Sequence, residues 1–509
     1  MQHHLCKVAL LTLFVVFIYK GHTQEPFLSF LDNNMDSVVQ AELKRWDVPG
    51  LSLGIIMNDT VRYNKGFGVA SINTPEKVDE HTLFRIGSLT KAMTCATVLL
   101  AEHREELSIQ DKLVNYFPDF HLEEASVANV LDLEDFMCGQ TGLGGHFGDF
   151  FYWKTQKEIK DVIPTLALFD YQEKIRYRFR YNNLAYMVLG EVLEKSSGVS
   201  WAGQINKHLF EPLEMTHSFP YQSLVSDKLT IAAPHFKEGK NTIELPAENI
   251  ANMGPAGSVL STSTDMLKWL RALLSLEQDR ERVFPVSVLK KIRRPHTLLG
   301  YRRSKSDSDQ LRFLFYGKGW SISDEHQRLH YRHNGGTDGF LSQLLMIPEE
   351  GFGVVVLTNS RSHNLAEGLA EYIRKVYFQD STENYFKGLF DEFTSDQKKE
   401  NDLYYSLRDS IQKQKTPLKL EPSQLGIYEN PGYGTITIST QKNGVNMLFN
   451  AHQETVLAHL IHKNEATFHV IFDSAVLGHT ELRFYEEDEQ TKGFYLSMDN
   501  TSYNFQKQP

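Results

Sequence analysis

Residues 84–100, FRIGSLTKAMTCATVLL, constrain the fold more than any other stretch of this chain. The pattern predicts a tight turn at Gly87 and a helix that opens at Ser88. Nearly every side of this helix is apolar, which is typical of a helix buried at the centre of a domain. We therefore expect one domain of the protein to be built around this segment.

Ser88 and Lys91 lie three residues apart and share one face of the predicted helix. A serine hydroxyl becomes a good nucleophile when a base removes its proton, and a lysine in apolar surroundings loses its charge readily enough to be that base. The helix N-terminus also offers backbone N–H groups to an oxyanion. The same spacing of serine and lysine recurs along the chain, at Ser88, Ser287, Ser395, Ser410 and Ser439. Only Ser88 combines a preceding glycine with a buried helix.

Residues 1–23 form a separate unit with the shape of a secretory signal peptide. Lys7 precedes an apolar run over residues 8–18, which is too short to span a bilayer comfortably. An uncleaved anchor is the second alternative. We expect no membrane span in the mature chain and a secreted, extracellular location. Asn58 and Asn500 match the N-glycosylation pattern and would be usable in a secreted protein.

The composition is that of a globular protein with room for more than one domain. The chain has 509 residues, of which 41% are hydrophobic, enough for a large domain and a smaller one. The formal net charge of −11 argues against a nucleic-acid partner. Cys6 would leave with the signal peptide. Cys95 and Cys138 could pair, but free thiols in a core are the favoured interpretation.

Apolar periodicity predicts an α/β or α+β domain, in which helices flank an antiparallel sheet. A helix over residues 27–46 precedes a β-hairpin, and a second helix runs from about Asn183 to Lys195. Successive strands follow over residues 316–360, and we expect the two ends of the domain to share one sheet. Residues 150–180 and 293–310 are predicted to be surface loops. We hypothesise that residues 296–312, which are polar and lie beside the predicted His333 strands, gate substrate entry.

The last quarter of the chain has a different pattern. Residues 377–420 are charged and helical, which predicts a linker. Residues 421–509 alternate apolar and polar positions, and Asn443-Gly444 marks a hairpin turn. We expect a small antiparallel β domain there, in the manner of a partial barrel.

Three motifs in this order resemble those of the serine β-lactamase and penicillin-binding protein superfamily: SLTK at residues 88–91, YNN at 181–183 and HNGG at 333–336. The likeness is closest to the class C β-lactamase-related branch, which includes esterases and D-amino-acid peptidases. GQTGL, EPLEMT, GPAGSVLST and YGKGW are also similar to family segments. The resemblance implies a catalytic domain over residues 24–376, and residues 421–509 look like the lipocalin-like appendage of some members.

The resemblance also implies roles for particular residues. Ser88 would be acylated by the substrate, and Lys91 would keep its hydroxyl activated. Tyr181 would act with the lysine as general base and then protonate the leaving group, which requires nearby positive charge from Lys91. Asn183 would bond the lysine and the substrate amide. The backbone N–H groups of Ser88 and Gly336, with Gly335 beside them, would form the oxyanion hole.

His333 departs from true β-lactamases, which place a lysine at this position. An imidazole need not be charged near neutral pH, so the resemblance favours another ester or amide over a β-lactam. It implies a secreted serine hydrolase of the esterase, D-peptidase or β-lactamase-like kind, acting on a small molecule or peptide.

The alternative is a secreted extracellular matrix or binding protein that keeps the fold with little or no catalysis. No cofactor is expected for either function. No metal site is predicted either, because the remaining histidines considered have no ligand spacing: His146, His217, His235 and His296.

Overall fold

The structure is a computed structural model, and it describes residues 25–120, 128–168, 175–275, 283–303, 311–361, 363–413, 418–441, 444–452, 455–464, 466–488, 490–498 and 501–509. The predicted signal peptide and the predicted glycosylation site at Asn500 lie outside these residues. Within the described part, no helix combines the length and the apolarity that a membrane crossing requires.

The strands before residue 360 are, in chain order, β1 Gly50–Met57, β2 Thr60–Gly68, β3 Phe84–Arg85, β4 His235–Glu238, β5 Asn241–Glu244, β6 Leu260–Ser261, β7 Thr297–Arg303, β8 Leu311–Gly317, β9 Trp320–Glu325, β10 Arg328–Thr337, β11 Phe340–Ile347 and β12 Phe352–Thr358. Eight of these described strands form one antiparallel sheet in the order β2-β1-β12-β11-β10-β9-β8-β7. The pairs β3-β6 and β4-β5 are separate.

The α-helices among the described residues are α1 Met35–Trp46, α2 Thr90–His103, α3 Leu113–Tyr116, α4 Leu133–Cys138, α5 Asp149–Tyr152, α6 Val162–Leu166, α7 Asn183–Ser197, α8 Trp201–Ile205, α9 Gly254–Gly257, α10 Ser263–Leu274, α11 Val286–Ile292, α12 Leu365–Tyr377 and α13 Tyr385–Lys413. Helices α1 and α12 pack in the core on one face of the sheet. Helices α2, α7 and α10 belong to the core on the other face.

The two ends of this N-terminal domain pair within the large sheet, as predicted, and lie next to its β2 edge. Strand β1 pairs antiparallel with β12, from Leu51 opposite Thr358 to Met57 opposite Phe352. Every residue of both strands is buried, because helices cover both faces of the sheet at this point. The predicted fold class, an antiparallel sheet flanked by helices, is confirmed.

Helix α2 is the buried central helix that the sequence predicts. All residues from Thr90 to Ala101 are buried, Cys95 among them. Ser88 itself lies in a 3-10 turn, Gly87–Leu89, that leads into the helix. Cys95 and Cys138 are both free and buried, and burial raises the pKa of both thiols. These thiols are therefore unreactive near neutral pH.

Both predicted surface loops were wrong in part. Strands β7 and β8 form a hairpin at the edge of the large sheet, where residues 293–310 were expected to be irregular; residues 304–310 lie outside the description. The sequence of β7 does not alternate clearly between apolar and polar residues. The reason is that this edge strand exposes apolar side chains, such as Leu298 and Tyr301, beside its arginines. Within residues 150–180, Phe150 and Phe151 are buried in helix α5, because they pack against the C-terminal domain.

Residues after 420 form a closed antiparallel barrel, so the predicted small β domain is confirmed. Helix α13, 29 residues long, precedes it within the stretch predicted to be a linker. The described strands of the barrel are β13 Gly426–Asn430, β14 Gly434–Gln441, β15 Gly444–Phe449, β16 Val456–Asn464, β17 Thr467–Phe472, β18 His479–Glu487, β19 Gln490–Met498 and β20 Thr501–Lys507. Closure pairs β13 with β20, so every described strand of the barrel has a neighbour on both sides.

Candidate active site

The turn that carries Ser88 is held against strand β10 by two glycines. Gly87 has φ +53°, and a Cβ at this position would come within 2.6 Å of the backbone nitrogen of Gly336. A Cβ at Gly335 would lie 2.0 Å from the carbonyl oxygen of Ile86. Only glycine at both positions allows this approach. The Gly336 backbone is therefore brought beside Ser88, as an oxyanion hole requires.

Lys91 projects from the first turn of α2 toward Ser88 and is completely buried. Its Nζ lies 2.9 Å from Ser88 Oγ and 2.7 Å from the carbonyl oxygen of Ala256. Burial lowers the pKa of Lys91 to about 7, against an opposing effect of the negative charge of Asp149. A substantial fraction of this amine is therefore neutral near pH 7 and can accept a proton from the serine.

Tyr181 approaches Ser88 from the start of helix α7. Asn182 caps this helix through a 3.1 Å hydrogen bond from the Ala185 N–H, which fixes the backbone beside Tyr181. The Tyr181 hydroxyl donates to Ser88 Oγ at 2.8 Å. Burial raises the pKa of Tyr181 well above its ordinary value, and the Ser88 hydrogen bond opposes this only in part.

The Tyr181 side chain is thus a neutral phenol near pH 7, whereas the expected general-base role required a lowered pKa. Desolvation of the buried phenolate outweighs the Ser88 hydrogen bond, and the negative charge of Asp149 raises the pKa of Tyr181 further. Burial also lowers the pKa of Lys91, so this side chain carries less positive charge near pH 7. A neutral phenol is suited to donate a proton to a leaving group, and Lys91 is left as the group able to accept one.

Asn183 lies at the site, but its partner differs from the one that the resemblance implied. Its side-chain amide donates to Asp149 Oδ2 at 2.7 Å, whereas Lys91 is bonded to Ser88 and Ala256. His146 Nδ1 lies 2.8 Å from the same carboxylate oxygen. Asp149 thus joins two side chains at the edge of the site.

His333 lies next to Tyr181 but is not among the residues that line the cavity beside Ser88. The two ring centroids are 6.2 Å apart, and His333 is buried. Its Nε2 is 3.3 Å from the Tyr316 hydroxyl and its Nδ1 is 2.6 Å from the carbonyl oxygen of Asn334. Burial, together with the charge of Lys91, lowers the pKa of His333 to about 4. The imidazole is therefore neutral at pH 7 and supplies no positive charge to a substrate.

Ser88 opens into a cavity of about 630 Å³, within the range of pockets that hold small ligands. Tyr181, Asn183 and Gly336 line it together with Ser88. The structure adds lining residues to which the sequence analysis gave no role at this site: His146, Asp149, Phe150, Trp153, Asn334, Thr337, Asp338, Leu341, Arg361 and six residues of the barrel. His146 and Asp149 follow closely on the GQTGL segment at residues 139–143, and this proximity in sequence was a signal that could have indicated them.

One group of described residues has the side chains that a metal ion would use. Glu134, Cys138 and His296 place their ligand atoms within 4.8 Å of one another. The fold brings His296 to this group although its sequence neighbours show no ligand spacing. The ammonium of Lys318 is ion-paired with Glu134 Oε1, so a cation already neutralises this carboxylate.

Comparison with known proteins decides the family. A family model described as Beta-lactamase matches residues 35–378, which is more than half of the chain. The chain belongs to the beta-lactamase family. Family members are serine hydrolases, and the predicted resemblance to this superfamily is confirmed.

Two solved structures share the fold of this beta-lactamase family member. The octameric penicillin-binding protein homologue from Pyrococcus abyssi has a TM-score of 0.59 at 19% identity, covering 93% of this chain and 99% of that one. A class C beta-lactamase from Rhodobacter sphaeroides has a TM-score of 0.55 at 20% identity, covering 68% of this chain and 99% of that one.

Curated relatives are similar over about two thirds of this chain. Unguisins hydrolase ungD from Aspergillus violaceofuscus is 25% identical over 363 residues, which are 65% of this chain and 61% of the relative. Protein flp from Staphylococcus aureus is 22% identical over 344 residues, which are 67% of this chain and 64% of the relative. The chain thus matches less than two thirds of the length of these relatives.

Proposed function

We propose that this protein is a serine hydrolase that cleaves an ester or amide through an acyl-enzyme on Ser88. The observation that carries the proposal is the pair of contacts at one oxygen: Ser88 Oγ lies 2.9 Å from Lys91 Nζ and 2.8 Å from the Tyr181 hydroxyl. An alcohol between a neutral amine and a phenol, at the floor of a cavity, has both a base and an acid within reach.

Acylation begins when Ser88 Oγ attacks the substrate carbonyl carbon and its proton passes to the Lys91 amine. The oxyanion that forms is stabilised by the backbone N–H groups of Ser88 and Gly336. When this intermediate collapses, the bond to the leaving group breaks and the Tyr181 phenol protonates the departing oxygen or nitrogen. The Lys91 ammonium then returns a proton to Tyr181, so both side chains regain their starting states.

Deacylation repeats these steps with water as the nucleophile. Water attacks the acyl carbonyl carbon, Lys91 accepts one of its protons, and the same N–H groups stabilise the oxyanion. Collapse releases the carboxylic acid product, and the proton on Lys91 restores the Ser88 hydroxyl.

The neutral state of His333 bears on the substrate. The pKa of about 4 leaves this residue uncharged at pH 7, so it offers no ion pair to a substrate carboxylate. Arg361 is the permanent cation among the described lining residues, and it is ion-paired with Asp338. These two observations support an uncharged ester or amide over a β-lactam, whose carboxylate would need a cation.

A fluorophosphonate probe tests the proposal, because it reacts with an activated serine. Wild-type protein should be labelled, and Ser88→Ala should lose the label. Ser439→Ala is the matched control, since Ser439 shares the spacing to a lysine but lies in the barrel. Tyr181→Phe should slow ester hydrolysis by about 100-fold or more while labelling of folded protein remains measurable. Wild-type protein without label or turnover would favour a matrix or binding protein that retains the fold.

We also propose that the protein is secreted after removal of residues 1–23 and carries N-linked glycans at Asn58 and Asn500. Asn58 is exposed in the turn between β1 and β2, which supports its accessibility. Expression in a secretory cell line should place the protein in the medium, with a new N-terminus near residue 24 and a mass that falls on deglycosylation. Asn58→Gln should remove part of that change in mass. Retention of residues 1–23 on membrane-bound protein would contradict cleavage.

A further inference from the structure

The barrel forms one wall of the cavity that contains Ser88. Barrel residues that line it are Val456, Phe472, Val476, Leu477 and Met498, together with His452. Phe472 is buried, while the other four apolar side chains are each only partly buried. Partly exposed apolar side chains from separate strands and a loop, gathered on one cavity wall, form a surface suited to an apolar ligand.

The barrel is fixed over the site by contacts beside the catalytic groups. The backbone N–H of Gly148 donates to the Tyr503 hydroxyl at 3.0 Å, and that of Gln156 donates to the carbonyl oxygen of Ala451 at 3.1 Å. The Phe150 ring stacks on Tyr433 with centroids 4.4 Å apart. These contacts flank Asp149, so the apolar wall is held in place relative to Ser88.

The charged side chains of the cavity form ion pairs and hydrogen bonds with neighbouring side chains. Arg361 Nη1 lies 2.6 Å from Asp338 Oδ1, and Lys154 Nζ lies 2.7 Å from the other oxygen of that carboxylate. Asp149 is bonded to Asn183 and His146. Asp149 Oδ1 and Thr337 Oγ1 are buried and have no hydrogen-bond partner among the described residues. The cavity therefore combines a polar surface on the N-terminal domain, where the Asp338 and Arg361 charges are paired, with an apolar surface on the barrel.

We propose that this barrel wall binds an apolar substituent of the substrate, an alkyl or aryl chain attached to the ester or amide that Ser88 attacks. The inference rests on the proposed function and names its substrate class: uncharged acyl compounds with a hydrophobic chain. Each methylene of the chain that leaves water for this wall strengthens binding by about fourfold. Residues of the barrel thus determine specificity, while residues of the N-terminal domain carry out the reaction.

A series of p-nitrophenyl esters from acetate through butanoate to hexanoate tests the proposal on the full chain. For the wild-type protein, kcat/KM should rise by about tenfold or more from acetate to hexanoate. Leu477→Gln should lower kcat/KM for hexanoate by about tenfold and leave that for acetate within about twofold. Leu448→Gln is the matched control, because Leu448 also lies in the barrel but is 37% exposed and does not line the cavity.

Val456→Thr is a second variant that alters polarity at nearly constant volume, in case Leu477→Gln does not fold, as checked by thermal unfolding. Ser88 labelling without any chain-length preference would overturn the apolar wall and leave the proposed hydrolase intact. Equal losses on acetate and hexanoate in both folded variants would overturn it as well. No Ser88 labelling and no turnover of any ester would overturn the hydrolase itself, and the inference with it.

Discussion

The reactivity of Ser88 depends on the protonation of one buried amine. Lys91 is charged in water at neutral pH, but burial lowers its pKa to about 7. Below that pH the ammonium holds the proton that it would have to accept from Ser88. Above it, the amine is neutral and available.

We therefore expect kcat/KM to rise with pH through about 7, in step with the neutral fraction of Lys91. The rate should be measured from about pH 5 to about pH 9 with a neutral ester, whose own charge does not change. Lys91→Met should remove the activity without unfolding the protein, since a side chain of similar length fills the same space. Lys44→Met, at an exposed position of α1, should leave the profile unchanged. A profile without a step in this range would contradict the role of the amine.

Asp149 should determine the pH at which kcat/KM rises. Its negative charge stabilises the Lys91 ammonium and so raises the pKa of Lys91 against the effect of burial. Asp149→Asn removes the charge, so the pKa of Lys91 should fall and the rise in kcat/KM should move to lower pH. A loss of activity at all pH values with no shift of the profile would instead indicate that Asp149 only positions Asn183 and His146.

At the residue scale, the sequence predicts which side chains are close together when both lie on the same helix or strand, because their spacing along the chain then fixes their distance. Ser88 and Lys91 could be placed together because they are one turn apart. The partner of Asn183 could not, because Asp149 lies 34 residues away and only the tertiary fold brings it within 2.7 Å. The raised pKa of Tyr181 was also beyond sequence reasoning, since it depends on how completely the fold removes the phenol from water.

At the scale of elements, the site depends on how closely strand β10 approaches the Ser88 turn. A Cβ at Gly335 would lie 2.0 Å from the Ile86 carbonyl oxygen and 2.3 Å from Ser342 Oγ, which itself donates to that carbonyl at 2.8 Å. The turn and the strand are thus joined with no room for a methyl group.

Gly335→Ala should push β10 away from the turn and displace the Gly336 N–H from the oxyanion. We expect kcat to fall by about 100-fold, because a shift near 1 Å of such a donor has an effect of this size. Gly388→Ala is the matched control, since a Cβ at this position of α13 has nothing within 4 Å. Unchanged kcat in a folded Gly335→Ala protein, measured with a saturating ester, would contradict this role for β10.

Helices and strands could be predicted from the sequence where the burial of their side chains follows a regular pattern. Strands β1 and β12 are buried throughout and gave continuous apolar runs, so their place in the sheet could be anticipated. The β7-β8 hairpin was missed, because an edge strand that leaves Leu298 and Tyr301 exposed carries no clear pattern. Helix α5 was missed because its aromatic residues are buried by the barrel, which is distant in sequence.

At the scale of the whole molecule, the N-terminal domain and the barrel share one hydrophobic core. The cluster that contains helix α2 continues through Phe150 and Phe151 into the interior of the barrel. Phe150 is 5% exposed and contacts the rings of Tyr433, Phe449 and Tyr503. Domains joined by a continuous core unfold together, whereas domains with separate cores unfold independently.

We therefore expect a single thermal unfolding transition for the wild-type protein, with activity and the near-ultraviolet signal lost together. Phe150→Ala should lower the free energy of unfolding by about 3–5 kcal/mol. It should also divide the transition in two, because removal of the ring leaves an empty space between the N-terminal domain and the barrel. Leu168→Ala, at a position 45% exposed, should change neither the number of transitions nor their midpoints appreciably. Two transitions in the wild-type protein would show that the barrel is an independent unit, and the wall it contributes to the Ser88 cavity would then be free to move.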